Sequence, residues 1–122
     1  MIPPDKLSYY ISTRTIEVAP LAYMRGRTLD NAYIILDEAQ NATDKQIKMF
    51  LTRLGVNAKA IITGDITQVD LPKNQSSGLK KAADILYKID GIGVIELNET
   101  DVIRHKLVKV ILHAYDSAST NE

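Results

Sequence analysis

The sequence predicts a three-layer α/β fold with a mainly parallel sheet, and three observations carry that expectation. Residues 32–36 (AYIIL) and 58–63 (AKAIIT) are continuous apolar runs rich in β-branched side chains. Such runs fit strands covered on both faces, as in a parallel sheet between helices. Segments with helical periodicity alternate with these runs, and strand, helix, strand, helix, strand, helix is the order of an α/β layer structure. Polar residues gather where each apolar run stops, which is where such sheets bind ligands.

Each element follows from local signals. Pro3-Pro4 bars helix from the extreme start. Residues 5–14 (DKLSYYISTR) read as a short helix, and 15–19 (TIEVA) alternate well enough for a short strand ended by Pro20. Residues 21–28 (LAYMRGRT) have no clean period and read as a structured loop, so 1–30 form a lead-in to an α/β core at 31–116. After the strand at 32–36, Thr43-Asp-Lys-Gln46 has the spacing of a capping box. Ile47, Phe50, Leu51 and Leu54 then share one helical face, with Gly55 as the stop. The strand at 58–63 is followed by a polar loop over 71–77 and a helix near 77–88, with Leu79, Ala82, Ala83 and Leu86 inward. A third strand is expected at 92–97 (IGVIEL). The last helix, at 105–116, would bury Leu107, Val108, Ile111, Leu112 and Tyr115, and 117–122 form a small, polar, frayed tail.

Composition narrows the function classes. The 122 residues are 45% hydrophobic and 25% charged, which is globular composition and argues against disorder. Lys+Arg and Asp+Glu both number 15, so a general polyanion-binding surface is not implied. Cysteine is absent, which excludes thiolate metal sites and fits a reducing, cytoplasmic setting. No apolar run approaches the roughly 20 residues that span a bilayer, and the start has no signal-peptide pattern.

The strand ends carry the chemistry. The first clear strand ends in Asp37-Glu38-Ala39-Gln40 and the next in Thr63-Gly64-Asp65-Ile66-Thr67-Gln68, one strand–helix–strand unit further on. A right-handed crossover puts Asp37 and Asp65 on the same edge of the sheet. Carboxylates beside apolar strands need a cation or donors, and magnesium with phosphate suits one or two of them. Either Asp alone would read as a cap of the following turn. The pair at one crossover's distance favours a nucleotide site.

These residues also resemble a known family. Leu36-Asp-Glu-Ala-Gln-Asn41 resembles the Walker B motif of PhoH-like ATPases, a branch related to superfamily 1 helicases. Residues 20–29 (PLAYMRGRTL) resemble the family's stretch before Walker B, and 49–54 (MFLTRL) the helix after it. Residues 63–72 (TGDITQVDLP) resemble its sensor motif, and Asp101-Val-Ile-Arg-His105 its arginine motif. The resemblance implies ATP and magnesium as cofactors and RNA as a partner. Asp37 would hold magnesium, directly or through water, and Glu38 would polarise the attacking water. Gln40 and Gln68 would sense the γ-phosphate or couple it to a bound polynucleotide. Thr63, Gly64 and Asp65 would form the sensor strand's end, close to the metal. Arg104 would neutralise charge developing on the transferred phosphoryl group, in cis or across a subunit interface. Arg25 and Arg27 flank Gly26 and would contact phosphate or RNA, the bland alternative being a solvated loop. Tyr9, Tyr10 and Tyr23 read as partly buried rather than base-stacking.

One departure limits these roles. No Gly-x-x-x-x-Gly-Lys-Ser/Thr occurs in the 122 residues. In the family that phosphate-binding loop precedes the stretch seen here, so the resemblance implies a fragment or truncated product with an incomplete P-loop NTPase domain. Such a chain would be weak or inactive alone, and exposed strand edges would invite a homo-oligomer. Two other readings stay open: a non-catalytic interaction module, and a nucleic-acid-binding remnant using Arg25, Arg27 and Arg104.

Overall fold

The computed structural model describes residues 1–120, apart from the Glu99 side chain. It divides into two units, Met1–Ile92 and Gly93–Glu122, each described by itself.

In the first unit, helix α1 (Pro4–Ser12) starts with proline in its first turn, where a missing N–H costs nothing. It buries no side chain. Residues 15–19, expected as a strand, form no ladder, because no neighbouring segment offers partners to their backbone. Instead Thr15 and Ile16 both donate to the Tyr10 carbonyl, folding the chain back on α1. A 3-10 turn, Leu21–Met24, follows Pro20.

Strands β1 (Tyr33–Leu36) and β2 (Lys59–Ile62) pair in parallel, with Tyr33 opposite Lys59 and Leu36 opposite Ile62. Helix α2 (Asp44–Leu51) lies between them in sequence and begins with the capping box expected at Thr43 and Gln46. The Gln46 N–H donates to Thr43 Oγ1 at 3.3 Å, and the Thr43 N–H donates to Gln46 Oε1 at 2.9 Å. Ile47 and Phe50 are each 2% exposed and, with Ala39 and Ala42, are the buried apolar core. Leu54 does not extend α2 as its spacing suggested. Leu29 donates to the Arg53 carbonyl and accepts from Gly55 N–H, so the lead-in captures this backbone in a parallel bridge to Leu54. Helix α3 (Leu79–Leu86) half-buries Leu79, Ala82, Ala83 and Leu86, the inward set the sequence predicts. Gly78, before α3, passes so close to Asp44 that a Cβ there would sit 2.5 Å from its Cα.

The three-layer expectation is met only in part: the class is α/β and the pairing parallel, but the sheet has two strands among the described residues. Ile34, Leu36, Ala60 and Ile62 are half-buried on one face, while Tyr33, Ile35 and Ile61 stand exposed on the other.

The second unit contains a 3-10 turn (Glu99–Asp101) and helix α4 (Lys106–Thr120). Residues 92–97, expected as a third strand, form no ladder. An apolar run becomes a strand only where a neighbour takes its N–H and C=O groups, and none does so here. Leu107, Val108, Ile111, Leu112 and Tyr115, expected to be buried, are exposed, because α4 has no packed face within its unit. The tail is more ordered than its composition suggested. Residues 117–120 continue α4, where Ser119 and Thr120 hydroxyls donate to the Tyr115 and Asp116 carbonyls. The rest of that tail, 121–122, lies outside the described residues.

Candidate functional site

The carboxyl ends of β1 and β2 lie side by side because the two strands run parallel and in register. Two backbone bonds extend the pairing beyond the strands: Thr63 N–H to the Leu36 carbonyl at 3.0 Å, and Ala39 N–H to the Thr63 carbonyl at 2.9 Å. This places Asp37 beside Thr63, and the Thr63 hydroxyl donates to Asp37 Oδ1 at 2.9 Å. The same oxygen accepts the Glu38 N–H at 2.9 Å. Both donors converge on Oδ1, so Oδ2 carries no protein hydrogen bond among the described residues.

Glu38 has φ 54° and ψ 38°, the left-handed region that non-glycine residues seldom adopt. The strand reverses there into a 3-10 turn, Ala39–Asn41, which carries Ala39 and Gln40 into the interior. Gln40 Nε2 donates to Glu38 Oε2 at 2.6 Å, and Gln40 Oε1 accepts the Asp65 N–H at 3.0 Å. Asp65 Oδ1 accepts both the Thr67 hydroxyl, at 2.6 Å, and the Thr67 N–H, at 2.9 Å. These donors hold the Asp65 carboxyl below its ordinary value, the Thr67 hydroxyl being the larger cause. Gly64 makes close packing possible: a Cβ there would lie 2.6 Å from Leu79 Cδ2 and 2.8 Å from Gln40 Oε1.

The structure thus brings together Asp37, Glu38, Gln40, Thr63, Gly64 and Asp65. Gln68 joins the same turn through its N–H, which donates to the Asp65 carbonyl at 3.1 Å. Arg27 is engaged elsewhere, with its guanidinium forking onto Glu17 at 2.8 and 3.1 Å. That ion pair lowers the Glu17 pKa and raises that of Arg27. Arg25 is exposed just after the 3-10 turn at 21–24. Arg104 belongs to the second unit and is exposed before α4.

Sequence reasoning missed Thr67, Asn41 and Glu17. Thr67 was legible as an Asp-x-Thr turn. Asn41 Oδ1 accepts the Asp70 N–H at 2.7 Å, a contact across 29 positions with no local signature. The Glu17 partnership spans 10 positions through irregular backbone and likewise leaves no periodic trace.

Among the described residues no group of three or more His, Asp or Glu could cage a metal. Magnesium does not need one, since it keeps waters and takes one or two carboxylates. An exposed Asp37 with one committed oxygen and one open oxygen fits that habit. For the nucleotide the fit is partial, because the sequence holds no glycine-rich loop with its lysine to carry the β- and γ-phosphates.

The class these features define is an α/β protein with acidic and hydroxyl side chains gathered at the carboxyl ends of two parallel strands. A family model described as "PhoH-like protein" matches residues 1–116, and the chain belongs to that family. A PhoH-like protein of Bacillus subtilis is 66% identical over 101 residues, covering 83% of this chain and 32% of the relative. A PhoH-like protein of Mycobacterium bovis is 56% identical over 115 residues, covering 94% and 33%. Protein PhoH of Escherichia coli K12 is 51% identical over 100 residues, covering 82% and 28%. The chain therefore spans about a third of the length of the relatives it matches.

Proposed function

We propose that this chain carries the metal-facing and γ-phosphate-facing half of an ATP-hydrolysing site of superfamily 1 helicase-like type. The observation that supports it most is the Thr63–Asp37 hydrogen bond, which orients one carboxylate across two parallel strands and leaves its second oxygen open. Asp37 would hold magnesium through that oxygen, directly or by a water. When bound, the ion supplies charge neutralisation on the phosphate oxygens. Glu38 keeps Oε1 available to orient a water, while its Oε2 is held by Gln40. Gln68 and the Asp65–Thr67 turn line the same edge. By its likeness to the family's arginine motif, Arg104 is the candidate cation for developing negative charge, supplied in cis or by a second copy of the chain. Arg25, exposed in the lead-in, is the residue for RNA contact. A cytoplasmic setting belongs to this reading as an expectation of the sequence. Separately, no helix among the described residues is long and apolar enough to cross a membrane.

A second reading has its own observation. Tyr33, Ile35 and Ile61 expose an apolar face of a parallel sheet, which favours association of this chain with itself or another protein.

Titration calorimetry with magnesium-ATP, on this chain and on a longer family chain carrying the phosphate-binding loop, separates the two. Binding by the longer chain alone, abolished by Asp37→Asn, supports the half-site. Binding by neither, with concentration-dependent assembly of this chain, supports the second reading.

A further inference from the structure

Gln40 is the buried polar side chain among the described residues, at 1% exposed. A buried primary amide is costly unless both ends are satisfied, and here both ends are. The backbone N–H of Asp65 can only donate, so the end of Gln40 that meets it at 3.0 Å is the oxygen. That leaves Nε2 toward Glu38, whose Oε2 it meets at 2.6 Å. The surroundings allow little slack, since a Cβ on Gly64 would come within 2.8 Å of Gln40 Oε1 and 3.0 Å of its backbone nitrogen. Glu38, meanwhile, sits in the left-handed region, which holds only where neighbours over-determine it.

We propose that Gln40 is a positioning residue: it ties the Glu38 carboxylate to the Gly64–Asp65 peptide, so that the end of β2 sets where Glu38 points. The role rests on the reading of Glu38 as the group that orients water. Displacement of the 64–65 peptide then reaches Glu38 through two hydrogen bonds and one side chain. The site requires a primary amide, because it must accept from a backbone donor on one side and donate to a carboxylate on the other. Glutamate of the same shape keeps the acceptor and sets two carboxylates face to face. Methionine of similar length keeps neither bond.

The test is solution NMR of this chain and its Q40E and Q40M variants. In Q40E the Asp65 amide keeps its hydrogen-exchange protection within about threefold, while in Q40M protection falls about tenfold, the loss of one buried hydrogen bond. In both variants the Glu38 side-chain couplings collapse to averaged values. Retained Asp65 protection in Q40M, or unchanged Glu38 couplings in both variants, overturns the proposal. A measurement on the unmodified chain is independent of how the variants fold. One Gln40 side-chain amide proton should exchange at least about tenfold more slowly than those of exposed Gln68, and equal rates overturn the tie. The half-site reading fails by a different signal: magnesium-ATP binding to a longer family chain carrying the phosphate-binding loop that is unchanged by Asp37→Asn sinks it, whatever Gln40 does.

Discussion

Helices α2 and α4 carry similar amphipathic patterns and meet opposite ends. In α2, Ile47 and Phe50 are buried beside Ala39 and Ala42; in α4, Leu107 and Val110 remain 60% and 63% exposed. The difference is not in the helices. Each side of α2 is anchored by backbone bonds to distant segments: Leu29 to Arg53 and Gly55, and Gly78 to the Ala42 carbonyl. Among its described residues, unit Gly93–Glu122 has no ladder of its own to hold a surface against α4. An apolar stripe therefore reports the capacity to bury; long-range backbone pairing decides whether burial happens.

Core truncation gives the largest test of that contrast. Phe50→Ala should cost about 3–5 kcal/mol, the usual range for a buried phenylalanine. Leu112→Ala, on the exposed face of α4, should stay within about 0.5 kcal/mol. Urea unfolding of both variants measures the pair. Equal losses would mean that α4 is as integral to the fold as α2, and the contrast would fail.

Glycines probe the same difference through close approach rather than cavities. At Gly78 an added Cβ meets the Asp44 Cα and N at 2.5 Å, and backbone atoms cannot rotate away. Gly78→Ala should therefore destabilise by about 1–3 kcal/mol, as overpacking does. At Gly93 an added Cβ meets nothing within 4 Å. Gly93→Ala should be neutral or stabilise by up to about 1 kcal/mol, by restricting the unfolded chain. Thermal melts decide it, and a destabilised Gly93→Ala would reveal packing around the second unit.

What the sequence made legible follows the same division. The two apolar runs, the Thr43–Gln46 capping box and the inward face of α3 were all readable, because each is a local pattern with one physical solution. So was the meeting of Asp37 with the end of the second strand, since a parallel crossover leaves no other edge for it. The strand expected at 92–97 and the buried face expected for α4 were not determined locally. Both depend on long-range partners, which a local pattern does not specify. The left-handed Glu38 and the inward Gln40 also escaped, because polar residues after a strand read as exposed unless their partners are known.

Capping comes next in size. Thr43→Ala removes the hydroxyl half of the box, leaving the Gln46 N–H without its acceptor at the start of α2, and should cost about 1 kcal/mol. Thr43→Ser keeps the hydroxyl and should recover most of it. Urea midpoints of the two variants measure this, and a serine variant no better than alanine would show that the methyl group, not the hydrogen bond, matters there.

The smallest effect is electrostatic and sits at the site itself. The Asp65 carboxyl is held below its ordinary value of 3.8 chiefly by the Thr67 hydroxyl and then by the Thr67 N–H. A carboxylate whose folded pKa is depressed stabilises the fold above its unfolded pKa, and that contribution is lost as pH falls through the folded value. The relevant window therefore lies at and below pH 3.8, and Asp65 adds no pH dependence near neutrality. Thr67→Val keeps the shape and the backbone donor but deletes the hydroxyl. Its Asp65 carboxyl should titrate closer to 3.8, read from the side-chain carbon resonance across an acid titration. The Glu17 carboxyl, held down by Arg27 in the lead-in, serves as the internal control and should not move. A Thr67→Val variant with unchanged Asp65 titration would transfer the cause to the backbone N–H alone, and the turn would then owe its charge state to chain geometry rather than to the threonine side chain.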